Sequence, residues 1–229
     1  MVHLFPIQLR AAHVRAWSRL LLLSVSGMTG LGMLSGAELV MRDIGIGVGL
    51  MPTDFAYDIN APAGDRSGSD GFDSAYGVDV HGRYSLARTG DSVGLVLGGV
   101  IGAEKADYAP GGSWTAFSVS GLAGCGWAVT DRLVLLGEAQ LGLGVGKLSL
   151  DGSTAAESVS VSGPLLIGGL QASGRFALTE SLIMGLGVGW QQKVASLSGN
   201  GVDMTLQISG TTAFLSLDWR LSDRPFLLE

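Results

Sequence analysis

The sequence predicts an all-β fold, namely an eight-stranded, antiparallel, up-and-down transmembrane β-barrel with short periplasmic turns and long external loops. Apolar residues alternate with glycines or polar residues through eight segments, and this alternation has the period of a strand. Glycine supplies 37 of the 229 residues, about twice its usual share, and each glycine inside a helix costs roughly 1 kcal/mol relative to alanine. The connections between the segments alternate between short and long, as they do in such barrels.

Residues 1–37 are predicted to be an export signal that precedes a barrel domain at 38–229. Three arginines lie within residues 1–19, an apolar run follows at 20–25, and Ser-Gly-Ala at 35–37 supplies a small-x-small cleavage pattern. The alternative is a membrane-anchoring helix, but the apolar run is short and is broken by serine and glycine. The sequence therefore predicts export, with one barrel domain after cleavage.

Eight strands follow the signal, and their connections fall into two classes. Those at 88–91, 130–131 and 179–180 are tight turns, whereas the other four are long, polar and rich in Gly, Ser and Asp. An even strand count with this alternation places both chain ends on the periplasmic side. The predicted strands span 40–51, 74–87, 92–104, 114–129, 132–149, 159–177, 181–194 and 204–221, and the long connections span 52–73, 105–113, 150–158 and 195–203.

Each predicted strand has one bulky apolar face and one face of glycines and polar groups. In the fifth strand Leu141 and Leu143 alternate with Glu138, Gln140 and glycines, and the first strand reads IGIGVGL. With lipid outside, the bulky face points outward and the polar face lines a narrow lumen. Unpaired charges are costly there, so the lumen side chains are predicted to form ion pairs and hydrogen bonds that plug the barrel. The predicted network contains Asp79, His81, Arg83, Glu104, Glu138, Gln140, Gln171, Arg175, Gln191, Lys193, Asp218 and Arg220.

Aromatic residues cluster near both ends of the predicted strands. On the apolar face, Tyr76 and Tyr84 are eight positions apart and Phe117 and Trp127 are ten apart. A tilted strand crosses a bilayer in about 9 to 11 residues, so this spacing predicts a girdle at each membrane interface. The predicted girdles contain Tyr84, Trp127, Phe176 and Trp219 beside the short turns, and Tyr76, Trp114, Phe117 and Trp190 near the long loops.

A repeated strand-turn-strand pattern marks the short turns, where WAVTDRLVLLGE from Trp127 is echoed by WRLSDRPFLLE from Trp219. With this turn, the GxGxG strands and the aromatic strand ends, residues 38–224 resemble small eight-stranded outer membrane proteins. That group includes the transmembrane domain of outer membrane protein A and the opacity-type porins. The resemblance implies the bacterial outer membrane, surrounded by its lipids and lipopolysaccharide, with the barrel-assembly machinery as a partner during biogenesis. The chain departs from the family at Phe226-Leu227-Leu228-Glu229, because it lacks the usual terminal aromatic residue.

Charge and cysteine content exclude several other partners and sites. Removal of 1–37 takes three of the 14 basic residues and no acidic one, which leaves 11 against 20 acidic residues. Nucleic acid is therefore a poor partner, because its phosphates require clustered Lys and Arg. The single Cys125 excludes an internal disulfide and a CxxC metal site. The spacing from Asp65 to Asp73 does not place a turn glycine and a distal glutamate where a calcium-binding loop has them, so neither a metal nor a cofactor is predicted.

The sequence favours a non-enzymatic membrane barrel with a structural or surface-interaction role, whose external protein partner it does not identify. A small porin-like channel for ions or small solutes is an alternative, although eight strands enclose room only for side chains. A lipid-modifying enzyme would need His81, with Asp79 and Ser85 on the same face, to lie near lipid or the external surface. A secreted soluble β-barrel or sandwich that binds an apolar ligand is the remaining alternative.

Overall fold

The computed structural model describes residues 38–62, 64–87, 92–108, 111–150, 158–199 and 201–221, which form ten strands joined by turns. The predicted export signal at 1–37 and the tight turn at 88–91 lie outside the described residues. No helix among the described residues has the length and hydropathy to span a bilayer. The strands are β1 (Glu38–Leu50), β2 (Asp54–Asn60), β3 (Arg66–Gly71), β4 (Ser74–Ala87), β5 (Val93–Asp107), β6 (Gly112–Ala128), β7 (Leu133–Leu150), β8 (Val159–Ala177), β9 (Leu182–Gly199) and β10 (Val202–Arg220).

Eight of the ten strands close into an antiparallel ring. The ring runs β1-β4-β5-β6-β7-β8-β9-β10, and β10 pairs with β1 to complete it. Each neighbouring pair is antiparallel and, apart from the steps that involve β1, joins strands that follow directly in the chain. The eight-stranded up-and-down barrel predicted from the sequence is therefore confirmed. We call the end of the ring where β2 and β3 lie the external end.

The first long connection differs from the sequence prediction. The sequence predicts a loop over 52–73, but β2 and β3 form a hairpin there that lengthens the barrel wall. This hairpin continues the pairing of β1 with β10 in the same register, because Leu50 pairs with Ala213 and Phe55 pairs with Ile208. The segment DFAYDIN does alternate apolar with polar residues, but its aspartates gave it the composition of a loop. The predicted loop at 195–203 is likewise mostly strand.

The stagger of the ring sets the strand tilt. Cross-strand partners can be followed once around the ring, starting from Gly45 of β1. The path ends at Phe55 of β2, which continues the wall of β1 and lies ten residues further along the chain. Eight strands with that stagger tilt by about 40° and leave an interior that side chains fill. The partners on this circuit are Gly45, His81, Val100, Ser120, Gly142, Ile167, Lys193, Ile208 and Phe55.

The two faces of the wall have opposite chemistry. Leu141 is 54% exposed and Leu186 is 66% exposed, whereas the lumen side chains of Glu138 and Lys193 are 3% and 1% exposed. A soluble protein buries its large apolar side chains, so this outward band marks a surface that meets lipid. The orientation predicted from the sequence is confirmed, and the ring is a transmembrane barrel. The same band includes Ile44, Ile46, Val48, Val78, Val80, Ile101, Val119, Leu143, Val145, Leu170, Val188 and Leu215.

The aromatic girdles require one correction. Trp114, predicted to belong to the girdle near the long loops, is 1% exposed and points into the lumen. Trp114 lies in the same register as the buried Ala116, whereas Phe117 faces outward. The face on which Trp114 lies is therefore decided by its position in the alternation and not by its distance from a loop. The exposed aromatics are Tyr76, Phe117 and Trp190 toward the external end, and Tyr84, Trp127, Phe176 and Trp219 beside the short turns.

Glycines on the inner and outer faces of the wall differ in whether a larger residue would fit in their place. A Cβ at the lumen residue Gly124 would clash with the backbone carbonyl of Gly137, and one at Gly146 would clash with the indole of Trp114. A Cβ on the outward Gly137 would have no neighbour within 4 Å. The lumen glycines are therefore required by close approach inside a narrow barrel, whereas Gly137 is not.

We expect Gly124→Ala to lower the free energy of unfolding by about 1–3 kcal/mol, because the added methyl group overpacks the lumen. Gly137→Ala on the adjacent strand is the matched control and is expected to change it by no more than about 0.5 kcal/mol. Urea unfolding in lipid vesicles, followed by tryptophan fluorescence, measures both variants. Equal losses would contradict the assignment of faces.

Candidate functional site in the barrel lumen

Arg83 and Glu138 form the central ion pair of the lumen. Arg83 Nε lies 2.9 Å from Glu138 Oε1, and Arg83 Nη2 lies 3.2 Å from Oε2. Gln171 Nε2 donates a further hydrogen bond of 2.9 Å to Glu138 Oε2. β4, β7 and β8 supply these three side chains, and the arginine and glutamate are almost fully buried. Two parallel hydrogen bonds between a guanidinium and a carboxylate fix both distance and orientation, so the pair ties together opposite parts of the wall.

Arg175 forms a second buried ion-pair group nearer the short turns. Its Nη1 lies 2.9 Å from Asp43 Oδ2, and its Nη2 lies 3.1 Å from Asp218 Oδ2. Asp218 also accepts a 2.9 Å hydrogen bond from Ser216 Oγ. Asp43 was not predicted to belong to the network, although the alternation of β1 places it in register with Gly45 on the lumen face. Extending that register by one position would have found it.

Arg220 is a predicted network member that the structure places apart from the ion pairs. Its side chain is half-buried, and its Nε has no hydrogen-bond partner among the described residues. It lines a small recess near the short turns together with Arg132 and Arg175. The guanidinium therefore lies in this recess rather than in one of the ion pairs.

His81 lies between two carboxylates. Its Nδ1 contacts Asp79 Oδ1 and its Nε2 contacts Asp218 Oδ1, and the ring is 4% exposed. A catalytic histidine needs one nitrogen directed at a nucleophile or a substrate. Here both nitrogens are directed at carboxylates within the lumen, away from lipid. This arrangement is that of a structural hydrogen-bond network.

A second polar layer lies nearer the external end. Lys193 Nζ contacts Glu104 Oε2, and the indole Nε1 of Trp114 donates a 2.7 Å hydrogen bond to Glu104 Oε1. Gln191 Nε2 donates a 3.2 Å hydrogen bond to Gln140 Oε1. A buried lysine is strongly destabilising unless its charge is paired, and Glu104 supplies that partner. Trp114 is the member that the sequence analysis missed, because it was assigned to the girdle.

A cavity of about 100 Å³ separates the two polar layers. Its wall includes the small residues Gly47, Gly49, Gly77 and Gly102. A cavity of this size and polarity holds several water molecules. No three His, Cys, Asp or Glu side chains converge into a metal-binding group in the part of the chain that the structure describes. The polar side chains that face the cavity are Asp79, His81, Arg83, Glu104, Ser118, Gln140, Gln171, Gln191, Thr212 and Ser216.

The external end of the lumen is filled by apolar side chains, which we call the outer apolar cluster. Phe55 lies at its rim, with ring centroids 4.6 Å from Phe72 and 5.7 Å from Tyr108. Tyr108 Oη donates a 2.7 Å hydrogen bond to Asp70, and this bond lowers the pKa of that carboxyl. This bond joins β3 of the hairpin to the residue that follows β5. The cluster contains Phe55, Phe72, Ala75, Ala106, Trp114, Ala116, Leu148, Val161, Leu165, Ile167, Ala195, Leu197, Met204, Leu206 and Ile208.

No family model and no curated protein matches the sequence. The structure is similar to the outer membrane protein OprG from Pseudomonas aeruginosa, with 13% identity, a TM-score of 0.47, and coverage of 80% of this chain and 97% of that chain. The outer membrane protease OmpT from Escherichia coli matches with 7% identity, a TM-score of 0.43, and coverage of 80% and 98%. Ail, the attachment invasion locus protein of Yersinia pestis, matches with 16% identity, a TM-score of 0.38, and coverage of 79% and 99%. The expected resemblance to small outer membrane barrels is found, and the barrel assignment rests on the closed strand order of this chain.

We expect Glu138→Gln to lower the free energy of unfolding by about 3 kcal/mol, because it leaves the buried guanidinium of Arg83 without its carboxylate. The double variant Arg83→Met with Glu138→Leu should recover most of that loss, because neither charge remains. Lys105→Gln is the control, since its pair with Asp107 is 3.1 Å long but half exposed, and it should cost less than about 1 kcal/mol. Urea unfolding in vesicles measures all three. An equal cost for Glu138→Gln and Lys105→Gln would contradict a buried network.

Proposed function

We propose that this chain is an integral protein of the bacterial outer membrane whose closed barrel has a structural or surface-interaction role. The proposal includes the export signal at 1–37, insertion by the barrel-assembly machinery, and lipopolysaccharide as part of its surroundings. The barrel anchors a wall of strands that continues past the membrane at the external end. Surface interaction is then a property of that extended wall and its hairpin, with an external protein as one possible type of partner.

The observation that carries the proposal is that the lumen is closed at two levels. Toward the short turns, Arg83, Glu138, Arg175 and Asp218 fill the interior with paired charges. Toward the external end, the outer apolar cluster fills it with side chains that are almost fully buried. A pore that stays open needs a continuous water-filled path. Two closures of different chemistry support a scaffold rather than a permanent pore.

The alternative is a channel that opens rarely for ions or small solutes, and the cavity of about 100 Å³ favours it. Glu138 faces Arg83, and Glu104 faces Lys193 on the far side of the cavity. Arg83 Nη1 also lies 3.9 Å from Asp218 Oδ1, so a second carboxylate is within reach if the pair with Glu138 exchanges partners. The outer apolar cluster contains no ion pair that could exchange partners. A channel would therefore also require its apolar side chains to move apart at the external end.

The proposal assigns no catalytic role. Although OmpT is named a protease, its likeness to this chain extends only to the general architecture. In this chain the one histidine of the barrel is held by Asp79 and Asp218 inside the lumen. An enzyme acting on lipid or on external substrates would need its reactive groups at those surfaces.

Recording in planar lipid bilayers tests the closed lumen. We expect the unaltered protein to show no steady conductance. Arg83→Ala with Glu138→Ala removes part of the inner closure, and Trp114→Ala with Leu165→Ala removes part of the outer one. Each pair alone is expected to leave the barrel closed because the other closure remains, whereas the combination of all four is expected to conduct.

Heat-dependent migration on gels, which reports a folded barrel, is the control for each variant. Steady conductance of the unaltered protein, or of either pair alone, would contradict the two-closure account. Conductance of the unaltered protein would instead favour the channel.

A further inference from the structure

In the external half of the barrel, the outer face of β7 to β10 is rich in hydroxyl groups. Above the apolar band, the strand pairs place Ser149 opposite Ser160, Ser162 opposite Ser198, and Ser196 opposite Thr205. We call these six residues the hydroxyl face. Four of them, Ser160, Ser162, Ser196 and Ser198, are exposed on the outer side. Cross-strand partners lie close together, so the hydroxyls form a continuous patch over β7 to β10.

The hydroxyl face begins where the lipid-facing band ends. On β7 the exposed Val145 is followed on the same side by Lys147 and Ser149, and on β9 the exposed Trp190 leads to Ser196 and Ser198. From Trp190 to the end of β9 at residue 199, tilted strands rise by roughly 20 Å. The patch therefore occupies the head-group layer directly above the hydrocarbon of the outer leaflet. Whatever head groups surround the barrel must lie against it.

The face is nearly free of charge, which restricts the chemistry of what it binds. Among the described outward positions of β7 to β10 above the band, Lys147 and Asp203 are the charged residues. Phosphate groups are bound by clusters of Lys and Arg, which this face lacks. A hydroxyl is both a donor and an acceptor and so complements another hydroxyl. Neutral sugars present that kind of surface.

The part of the external wall next to the hydroxyl face is more acidic, and it begins where Asp58 of β2 pairs with Thr205 of β10. β2, β3 and the adjacent ends of β4 and β5 carry Asp54, Asp58, Asp65, Asp70, Asp73 and Asp107, with Arg66 and Lys105 as the described basic residues there. An acidic surface repels the phosphates of neighbouring lipids. The two parts of the external wall are therefore suited to different neighbours.

The hydroxyl face is also held rigid from behind. The inward side chains of the same strands, among them Leu165, Leu197 and Leu206, are 1–2% exposed and belong to the outer apolar cluster. A sheet fixed by a packed core loses little further conformational freedom when a ligand binds it. The patch is thus a preorganised surface of hydroxyl groups.

We propose that the hydroxyl face binds the neutral saccharide part of a glycolipid of the outer leaflet, lying alongside β7 to β10. This inference rests on the proposed outer membrane location. The sugars bind through hydrogen bonds to the serine and threonine hydroxyls of this face. The phosphates of the lipid do not determine the preference for it.

Native mass spectrometry of the full barrel in nanodiscs tests this inference. One set of discs holds rough lipopolysaccharide, which carries a core saccharide, and the other holds lipid A, which has the same anchor without that saccharide. We expect the unaltered protein to retain rough lipopolysaccharide about tenfold more strongly, as expected for a few added hydrogen bonds. Removing four hydroxyls with Ser160→Ala, Ser162→Ala, Ser196→Ala and Ser198→Ala should abolish this preference.

Two further variants keep the result interpretable. Ser162→Ala with Ser198→Ala removes one cross-strand pair and should reduce the preference in part. Ser67→Ala with Ser69→Ala removes hydroxyls from the outer face of β3, two strands away from β10, and should leave the preference unchanged. Equal retention of the two lipids by the unaltered protein, or a preference that survives the fourfold variant, would overturn the inference. Failure to insert into either disc would instead contradict the membrane assignment of the proposed function.

Discussion

The hydrogen bonds between β1 and β10 are the interaction on which the rest of the structure depends, because they convert a sheet with two edges into a ring. In hydrocarbon an unpaired edge would leave a row of N–H and C=O groups without partners, each at a cost of several kcal/mol. Closure removes those edges. It also fixes a barrel of eight strands with a stagger of ten residues, and so determines how little room remains inside.

The composition of the lumen follows from this limited room. Glycines such as Gly124 and Gly146 lie where a neighbouring backbone or ring occupies the space of a Cβ. Large polar groups are retained where they pair, as Arg83 does with Glu138 and Lys193 does with Glu104. Beyond the membrane, where the outer face is polar, the interior changes to apolar packing around Leu165 and Leu206. The wall is thus apolar outside within the membrane and apolar inside beyond it.

Strict alternation made much of this arrangement predictable from the sequence. It gave the eight barrel strands, the outward position of Leu141, and the lumen position of Glu138. It did not give the hairpin of β2 and β3, because the aspartates of DFAYDIN resemble those of a loop. The girdle assignment of Trp114 was wrong because it relied on distance from a loop instead of register. Arg220 shares the lumen register but lies in a recess near the short turns, apart from the ion pairs.

The change of polarity along the lumen was the harder feature to predict. Toward the external end, Leu165 and Ile167 point inward next to outward serines and leucines, so the apolar pattern alone does not say which face meets lipid. The pairing partners resolve it, because Ile167 pairs with the lumen residue Lys193. Long-range register of this kind is fixed by the closed ring and is not visible in one segment.

The most direct test of the account is to find which side chains meet lipid. Single cysteines in place of Leu141, Leu186, Glu138 and Gln191, each in a background without Cys125, can be exposed to a thiol reagent confined to the hydrocarbon phase. The account predicts strong labelling at positions 141 and 186, as at the outward native Cys125, and almost none at 138 and 191. Labelling at 138 and 191 with protection at 141 and 186 would contradict it.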